Sequence, residues 1–318
     1  MKKFIALVMA FVLCLSVFAG CASGTAEKSK KEKFKITVSI YPVYDWMKNI
    51  TQDAEDVELN LLVGNGTDMH SYQPTADDMV GIAESDMFVY VGGESDKWVG
   101  DAMNGIIQPD KTEAVSLLDA LGDRAKTEEA VEGMQREDEE DEEEAADEHI
   151  WLSLKNAEAL CKALCDKLQK ADEKNADVYS KNTEDYTEKL KKLDAAYTEA
   201  LSSKKHDTLL FDDRFPFRYL VDDYNLKYYA AFAGCSAESE ASFETVAFLS
   251  DKLRELSLPA VLTIDGSDQK IAKTVVETSG SDASILTLNS MQSETADSGD
   301  TYLSVMESNL EILKKALL

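Results

Sequence analysis

The sequence has few cysteines and no spacing that would pair them. Of its five cysteines, Cys14 and Cys21 lie near the N-terminus, Cys161 and Cys165 are four residues apart, and Cys235 stands alone. This distribution excludes a disulfide framework of the kind that staples small secreted domains, so a hydrophobic core must stabilise the fold. Positive charge is also scarce, because 33 lysines and arginines face 61 aspartates and glutamates, for a net charge of −28. We therefore expect no nucleic-acid partner.

The sequence contains only one long hydrophobic run, at residues 4–18, which follows two lysines. A positive start, a short apolar run and small residues before Cys21 predict a secretory signal peptide over residues 1–20. The run is too short for a comfortable transmembrane helix. Because Ala-Gly-Cys resembles a bacterial lipobox, we expect Cys21 to be lipidated, although Phe18 replaces the usual leucine. The alternative is an ordinary signal peptide that is cleaved near Ala19.

The residues that follow Cys21 predict a protein anchored outside the cell. Residues 22–33 are small, polar and basic, which indicates a flexible tether. No later stretch of the sequence is long and apolar enough to span a membrane. We therefore expect a monomeric soluble domain at the outer face of the bacterial cytoplasmic membrane, held there by a lipid anchor.

Strand and helix patterns alternate along the rest of the chain. Short runs rich in apolar and β-branched residues predict strands, and amphipathic stretches with capping residues predict helices. The predicted strands cover 35–41, 57–63, 87–92, 208–212, 228–233, 260–265 and 285–288. Predicted helices begin after Thr75 and near Ser153 and cover 216–223, 243–256, 268–279 and 301–317. This alternation predicts an α/β fold in which mostly parallel sheets are flanked by helices.

A stretch without glycine or proline separates two α/β regions. Within residues 173–203, apolar residues recur at spacings of three, four and seven, which predicts one amphipathic helix. A helix of this length, about 45 Å, is typical of a coiled coil or of a strut between lobes. Because α/β patterns lie on both sides, we predict a linking helix over 169–204 that joins an N-terminal half, 34–168, to a C-terminal half, 205–318.

Residues 137–148 carry ten acidic side chains in twelve positions. Like charges at this density repel one another, which predicts an exposed, disordered loop. The loop could be only a solvated insertion, or it could collect cations near a binding site. Carboxylates alone favour hard ions such as Ca²⁺, so a collecting role would raise the local cation concentration without selecting a transition metal.

Three residues that are far apart in the chain are candidate metal ligands. His70 follows the strand predicted at 57–63, Asp265 ends the strand predicted at 260–265, and His149 lies between the acidic run and the next helix. In open α/β sheets ligands bind beyond the carboxyl ends of the strands, which favours a site between the two halves. Imidazole and carboxylate together suit zinc, manganese or iron. By residue type alone, an isolated histidine is more often a hydrogen-bonded structural residue, and an aspartate at a strand end is often a helix cap.

The sequences around these residues resemble the zinc- and manganese-binding solute-binding proteins of ABC importers. GNGTDMHSYQPT at 64–75 resembles the glycine-rich turn, His and Tyr-x-Pro-Thr of that family, and DEHIWLSLKNA at 147–157 resembles its second His motif. FPFRYLVDDYNLKYYAAFAG at 215–234 and LTIDGSDQKIAKTV at 262–275 match the family's C-terminal half in order. The resemblance covers residues 34–318.

The resemblance implies two α/β lobes joined by one long rigid helix, with a metal ion between them. It implies that His70, His149 and Asp265 are the metal ligands. It also implies that the protein captures Zn²⁺, or alternatively Mn²⁺, as cargo and delivers it to an ABC permease in the membrane. The third histidine, His206, has no counterpart in the family motifs, and we expect it at the surface.

One position departs from the family pattern. The family's third ligand, a His or Glu, lies three residues before an aromatic motif, and this chain has Arg214 there. A guanidinium stays charged and has no lone pair for a metal. A water could complete the site, Asp213 or Cys235 could supply the ligand, or Arg214 could pair with Asp265 when no metal is bound.

A metal-dependent hydrolase and a surface adhesin are the alternatives to transport. A metal-dependent hydrolase needs a general base, and the sequence has no HExxH or GxSxG motif, so we expect no enzymatic activity. A surface adhesin with a structural metal would unfold when the metal is removed, whereas a transport protein should stay folded when empty.

Overall fold

The structure is a computed structural model that describes residues 33–64, 66–135, 146–236 and 240–318. The predicted signal peptide, Cys21, the tether up to residue 32 and residues 137–145 of the acidic run lie outside the described residues. Among the described helices, none combines the length and the apolar composition that a membrane crossing requires.

Strands and helices alternate along the described chain. The strands are β1 (Phe34–Val38), β2 (Val57–Leu61), β3 (Met87–Tyr90), β4 (Glu113–Ser116), β5 (Thr208–Leu210), β6 (Arg214–Phe215), β7 (Lys227–Tyr229), β8 (Phe232–Ala233), β9 (Ala260–Ile264) and β10 (Ser284–Leu288). The α-helices are α1 (Tyr41–Ile50), α2 (Ala76–Ala83), α3 (Trp98–Gly105), α4 (Leu117–Leu121), α5 (Leu154–Ala171), α6 (Ala176–Ser202), α7 (Arg218–Asp223), α8 (Phe243–Glu255), α9 (Lys270–Ser279) and α10 (Tyr302–Leu317).

The N-terminal half contains one parallel sheet with the strand order β2-β1-β3-β4. Strand β1 lies between two partners, so that Ile36 faces Leu59 of β2 on one side and Met87 of β3 on the other. Because the four strands are parallel, their carboxyl ends share one edge of the sheet, and the loops after β2 and β3 start there. These two loops carry His70 and Ser95.

The C-terminal half contains three parallel strand pairs, β5 with β7, β6 with β8 and β9 with β10. A single bridge between Phe211 and Leu262 joins the chain after β5 to β9. Residues 228–233, predicted as one strand, are divided between β7 and β8. Parallel strands with helices between them confirm the predicted α/β fold class.

The long helix α6 contains 27 residues and is therefore about 40 Å long. It begins at Ala176 after a 3-10 turn over Glu173–Asn175. The first residues of the predicted linking segment 169–204 thus belong to the end of α5 and to this turn. Where the chain turns between α5 and α6, the side chain of Asn175 donates to Asp172.

Helix α6 contacts both halves through its tyrosines. The Tyr186 hydroxyl donates to Oδ2 of Asp45 on α1 at 3.2 Å, and the Tyr197 hydroxyl donates to the carbonyl of Met306 on α10 at 2.5 Å. Residues 34–318 form one compact unit. The division into two lobes therefore stays a prediction, while the two α/β halves share one packed core.

Three buried aromatic residues connect the halves next to the predicted site. Trp46 and Tyr302 pack edge to face with their ring centroids 5.3 Å apart. The Tyr302 hydroxyl donates to the carbonyl of Trp151 at 2.6 Å. These contacts fix the position of Trp151 and, with it, of the neighbouring His149.

Candidate metal centre

His70 lies in a single 3-10 turn, Met69–Ser71, that follows β2. Asp68 caps the turn, because its Oδ1 accepts the backbone N–H of His70 at 3.0 Å. The backbone N–H of Met69 donates to the carbonyl of Gln292 at 3.3 Å. The turn that carries His70 is thus tied to the C-terminal half of the chain.

His149 is fully buried and directly precedes a 3-10 turn over Ile150–Leu152. Oδ1 of Asp147 accepts both the backbone N–H of His149, at 2.9 Å, and the hydrogen on its ring Nδ1, at 3.0 Å. Nearby, Trp151 Nε1 donates to the carbonyl of Ser290 at 2.9 Å. The imidazole of His149 is therefore held by the side chain of Asp147. The turn that follows His149 is held by the C-terminal half, through Trp151.

The two imidazoles, 79 residues apart in the sequence, meet in space with 3.2 Å between their Nε2 atoms. Their Nδ1 atoms point away from each other. His70 Nδ1 lies 2.8 Å from Ser95 Oγ and 3.1 Å from Oε1 of Glu148. The predicted pair of ligands is thus brought together from two separate loops of the N-terminal half.

The tautomer of each ring follows from its partners. A carboxylate accepts hydrogen bonds and cannot donate, so Asp147 and Glu148 place the ring hydrogens of His149 and His70 on Nδ1. In the neutral form of the two rings both Nε2 atoms then carry lone pairs, and these two atoms lie 3.2 Å apart. Metal-binding histidines generally have this arrangement, in which the second ring nitrogen donates to a carboxylate.

Glu148 stays ionised although its side chain is completely buried. Burial raises the pKa of the Glu148 carboxyl, but hydrogen bonds from His70 and Ser95 and the proximity of His149 outweigh burial and lower the pKa to about 2. Ser95 donates its backbone N–H to Oε2 at 3.0 Å and its hydroxyl to Oε1 at 2.6 Å. Burial lowers the pKa of His149, but the Asp147 carboxylate outweighs it and raises that pKa overall.

The last two acids of the acidic run do not behave as predicted. Residues 137–148 were expected to form an exposed loop, yet Asp147 is 2% exposed and Glu148 is 0% exposed. The expectation was wrong for these two residues, because each carboxylate is compensated by a histidine and by backbone N–H groups instead of water. Ala146 already belongs to ordered structure, through an antiparallel bridge to Thr127.

Within the described residues, one group of three possible ligand side chains lies within 4.8 Å of one another, and it consists of His70, Glu148 and Cys235. The Cys235 thiol donates to Oε1 of Glu148 at 3.4 Å. Burial, together with the neighbouring Glu148 and Glu128, raises the pKa of the Cys235 thiol, which therefore stays protonated. A protonated thiol is a poor metal ligand. We therefore interpret the group as support for the ring of His70.

Asp265 directly follows β9 and lines the same cavity as His70. Its Oδ1 accepts the backbone N–H of Ser290 at 2.5 Å and the hydroxyl of Ser290 at 2.7 Å. Among the described residues, His70, His149 and Asp265 do not form a group within 4.8 Å. The structure thus joins two of the three predicted ligands and places the third in the same cavity with a different partner.

Arg214, at the position of the family's third ligand, supports the turn that carries His70. Its Nη2 donates to Oδ2 of Asp68 at 2.6 Å, so the alternative pairing with Asp265 was wrong. Burial raises the pKa of Asp68, but the guanidinium outweighs burial and lowers that pKa. Asp213 accepts the backbone N–H of Arg214 at 2.9 Å.

Gln292 is a site residue that the sequence analysis missed. Its amide Nε2 lies 2.7 Å from His70 Nε2 and 2.8 Å from His149 Nε2. The residue is 4% exposed and follows β10 by four positions. Its place after the carboxyl end of a parallel strand is the one signal that could have identified it.

A cavity of about 640 Å³ opens beside His70. Both halves of the chain line it, through Asp68 and His70 on one side and Asp212, Arg214 and Asp265 on the other. The cavity therefore offers a polar, mostly acidic approach to the imidazole of His70, which suits a cation.

Gly234 packs against the ring of His149 and has no room for a side chain. A Cβ at this position would lie 2.9 Å from His149 Cε1 and 2.9 Å from the carbonyl oxygen of Phe215. We expect Gly234→Ala to displace His149 and to weaken metal binding about 10–100-fold, as is usual for residues that orient metal ligands. A zinc titration in competition with a chelator measures the change.

The matched control for this substitution is Gly100→Ala, because a Cβ at Gly100 would meet nothing within 4 Å. We expect the control to bind metal as the parent protein does. If Gly234→Ala also kept the parent affinity, the ring of His149 would not be constrained as described.

Comparisons with known sequences find similar proteins over nearly the whole chain. The model of a family described as zinc-uptake complex component A, periplasmic, matches residues 36–316. The zinc-binding lipoprotein AdcA of Streptococcus pneumoniae is 32% identical over 318 residues, which cover 99% of this chain and 61% of AdcA. The high-affinity zinc uptake system protein ZnuA of Bacillus subtilis is 29% identical, covering 96% of this chain and 95% of that protein. The chain thus spans about 61% of the length of the AdcA relatives that it matches.

Solved structures show the same fold. The Zn(II)-bound ZnuA-like domain of Streptococcus pneumoniae AdcA has a TM-score of 0.71 at 29% identity, covering 89% of this chain and 98% of that one. The metal-dependent lipoprotein YcdH of Bacillus subtilis has a TM-score of 0.74 at 26% identity, covering 90% of this chain and 100% of that one.

Proposed function

Because this chain belongs to the ZnuA family, zinc-uptake complex component A, we propose that it captures Zn²⁺ outside the cell and delivers it to an ABC importer. The observation that carries the proposal is the close approach of His70 and His149, whose Nε2 atoms lie 3.2 Å apart beside the cavity that His70 lines. His70, His149 and Asp265 are the ligands that we propose. Asp265 would reach the ion only after moving from its present position on Ser290.

Zinc is the favoured cargo because of the donor atoms. Two neutral imidazoles with oxygen ligands suit Zn²⁺, which is commonly four-coordinate, whereas Mn²⁺ prefers more oxygen donors. Manganese is the alternative cargo. The relatives are named for zinc binding and zinc uptake, which supports the same choice for this chain.

The two carboxylates that contact the histidines are compensated by the protein itself, which favours cargo binding over a structural role for the metal. Asp147 and Glu148 are satisfied by the two histidines and by Ser95, so neither of these carboxylates depends on an ion. We therefore expect the protein to fold without metal. A surface adhesin that needs its metal for stability would not behave in this way.

The proposal also includes the location of the protein and its membrane partner. One relative is named a lipoprotein, and we propose that Cys21 is lipidated here and anchors a monomer at the outer face of the cytoplasmic membrane. The cargo would pass to a membrane permease of the ABC type. No enzymatic activity is proposed.

Calorimetric titration of metal-stripped protein with Zn²⁺ and with Mn²⁺ tests the proposal. We expect one zinc ion per chain and weaker binding of manganese. Tighter manganese binding would replace zinc by the alternative cargo, and no binding of either ion would refute the proposed function. Circular dichroism before and after chelation checks that the empty protein stays folded.

A growth experiment tests delivery. Cells that lack this protein should grow poorly when zinc is scarce, and the parent gene should restore growth. A gene carrying His70→Ala should fail to restore it, although the variant is exported and folded. Full restoration by that variant would separate metal binding from the role in the cell.

A further inference from the structure

We propose that Oε1 of Gln292 is a further protein ligand of the bound ion beside His70, His149 and Asp265, in place of the family ligand that Arg214 replaces. The inference rests on the proposed function, since it concerns the same site. It assigns a ligand role to a residue that lies in a loop after β10, far in the chain from both histidines.

The amide group already occupies the position of a third ligand. Its terminal atom lies 2.7 Å from His70 Nε2 and 2.8 Å from His149 Nε2, and the two Nε2 atoms are 3.2 Å apart. An ion about 2.0–2.1 Å from each nitrogen, the usual Zn–N distance, would see the two nitrogens at roughly 100°, close to a tetrahedral angle. The three atoms thus form one face of a coordination polyhedron.

Hydrogen bonding explains which end of the amide faces the histidines in this structure. Both Nε2 atoms carry lone pairs, so they accept hydrogen bonds, and the NH2 group of Gln292 can donate one hydrogen to each. The amide group therefore holds the two imidazoles at the spacing that an ion needs.

The other end of the amide is poorly satisfied in this orientation. Oε1 of Gln292 lies 3.1 Å from Ser290 Oγ, and Oδ1 of Asp265 lies 2.7 Å from the same hydroxyl. A hydroxyl has one hydrogen, so the two oxygens compete for it. A rotation of the amide by 180° would turn Oε1 away from Ser290 and let the Ser290 hydroxyl accept from the NH2 group.

A cation between the imidazoles would drive this rotation. An amide NH2 group has no lone pair to offer a metal, whereas the amide oxygen does. The turned amide keeps its place and presents Oε1 to the ion, so the ligand set changes without a movement of the backbone. The same side chain then spaces the empty site and completes the filled one.

The backbone of Gln292 is held in position for this role. Its carbonyl accepts the backbone N–H of Met69, next to His70, at 3.3 Å. The preceding residue, Met291, has a φ of 58°, a left-handed conformation that a non-glycine residue adopts at a cost and that often marks functional sites. The other candidates are engaged elsewhere, since Arg214 pairs with Asp68 and the Cys235 thiol donates to Glu148.

Three substitutions at position 292 separate the possible roles. Gln292→Leu and Gln292→Ala remove the oxygen, and we expect each to weaken zinc binding by at least about tenfold, the lower range for residues around a metal. Gln292→Glu supplies an oxygen at the same reach, and we expect zinc binding within about tenfold of the parent or tighter. The exposed Gln108→Ala serves as the control and should change nothing. Chelator competition with metal-stripped protein measures the affinities.

The visible spectrum of Co²⁺-loaded protein provides a second readout. Gln292→Leu should change the intensity of the cobalt bands, because it changes the coordination sphere, and Gln292→Glu should preserve a spectrum like that of the parent. If Gln292 only caps the empty site, Gln292→Leu and Gln292→Ala would bind zinc as tightly as the parent or more tightly, which overturns the inference. Equal losses in the Glu and Leu variants would also overturn it.

The proposed function and this inference fail in different ways. If the parent protein binds no zinc, the function fails. If the parent binds zinc and His70→Ala does not, while Gln292→Leu binds normally, only the inference fails. A crystal structure of the zinc-loaded parent decides without any variant, because Oε1 should lie about 2.0–2.2 Å from the ion. A longer, non-coordinating separation overturns the inference.

Discussion

His70→Ala is expected to weaken zinc binding by more than about a hundredfold, beyond the 10–100-fold range for residues that only orient metal ligands. The substitution removes one of the two Nε2 atoms that converge across 3.2 Å. We expect the variant to fold, because the His70 side chain is 11% exposed and Glu148 keeps its bonds from Ser95. Calorimetric titration and chelator competition measure the loss.

His206→Ala is the matched control, because it removes the remaining histidine of the described chain without touching the cavity. His206 precedes β5 and its backbone N–H donates to the carbonyl of Leu317 at 3.1 Å, a contact that alanine keeps. We expect the parent affinity for this variant. If the two substitutions had equal effects on zinc binding, the ion would lie elsewhere.

The most deeply buried strands were predicted from their apolar runs. β3 and β9 are almost entirely buried, β1 is buried from Ile36 to Val38, and all three are rich in β-branched or aromatic residues. Strand β4 was missed, since its sequence EAVS has only Val115 fully buried. Such a strand is formed by its pairing with β3 and has little local preference of its own.

The boundary after β1 shows why element ends are harder to predict. The run predicted as a strand over 35–41 ends at Val38, and α1 begins at Tyr41 with Pro42 in its first turn. Proline suits that position because the first turn of a helix has no use for its missing N–H. The capping signals at Thr75 and Ser153, by contrast, were local, and both side chains accept the expected backbone N–H.

The residues of the site also divide into those that local sequence predicted and those that it did not. His70, His149 and Asp265 were identified by motif and by their positions near strand ends, and two of them meet. The residues that make those histidines competent were not identified: Asp147 and Glu148 were merged into an acidic run, and Gln292 lies in a loop without periodicity. Their roles depend on contacts between distant segments. Gln292, for example, contacts His70 although the two residues are 222 positions apart in the sequence.

Asp212 leads to a prediction about pH and stability. The residue is 1% exposed, and its Oδ1 has no hydrogen-bond partner among the described residues. Burial raises the pKa of the Asp212 carboxyl from 3.8 to about 8, and the charge of Asp213 is the second-largest cause of this increase. In the folded protein this side chain is therefore neutral at pH values where it is ionised in the unfolded chain.

The sign of the effect follows from this difference. The folded state binds the extra proton, so the contribution of Asp212 to stability is greatest below about pH 4 and falls as the pH rises towards about 8. Each pH unit of this interval costs about 1.4 kcal/mol, so the loss at pH 7 is at most about 4 kcal/mol. Asp212→Asn keeps the shape of the side chain and removes the titration. We expect its unfolding free energy, relative to the parent, to increase by several kcal/mol between pH 4 and pH 8.

Urea unfolding of metal-stripped protein at a series of pH values measures this difference directly. The exposed Asp110→Asn is the control, and its stability should follow the parent at every pH. Parallel profiles for Asp212→Asn and the parent would mean that Asp212 is ionised in the folded protein. Because Asp212 lines the cavity with His70 and Asp265, that result would also place one more negative charge beside the ion than the neutral side chain does.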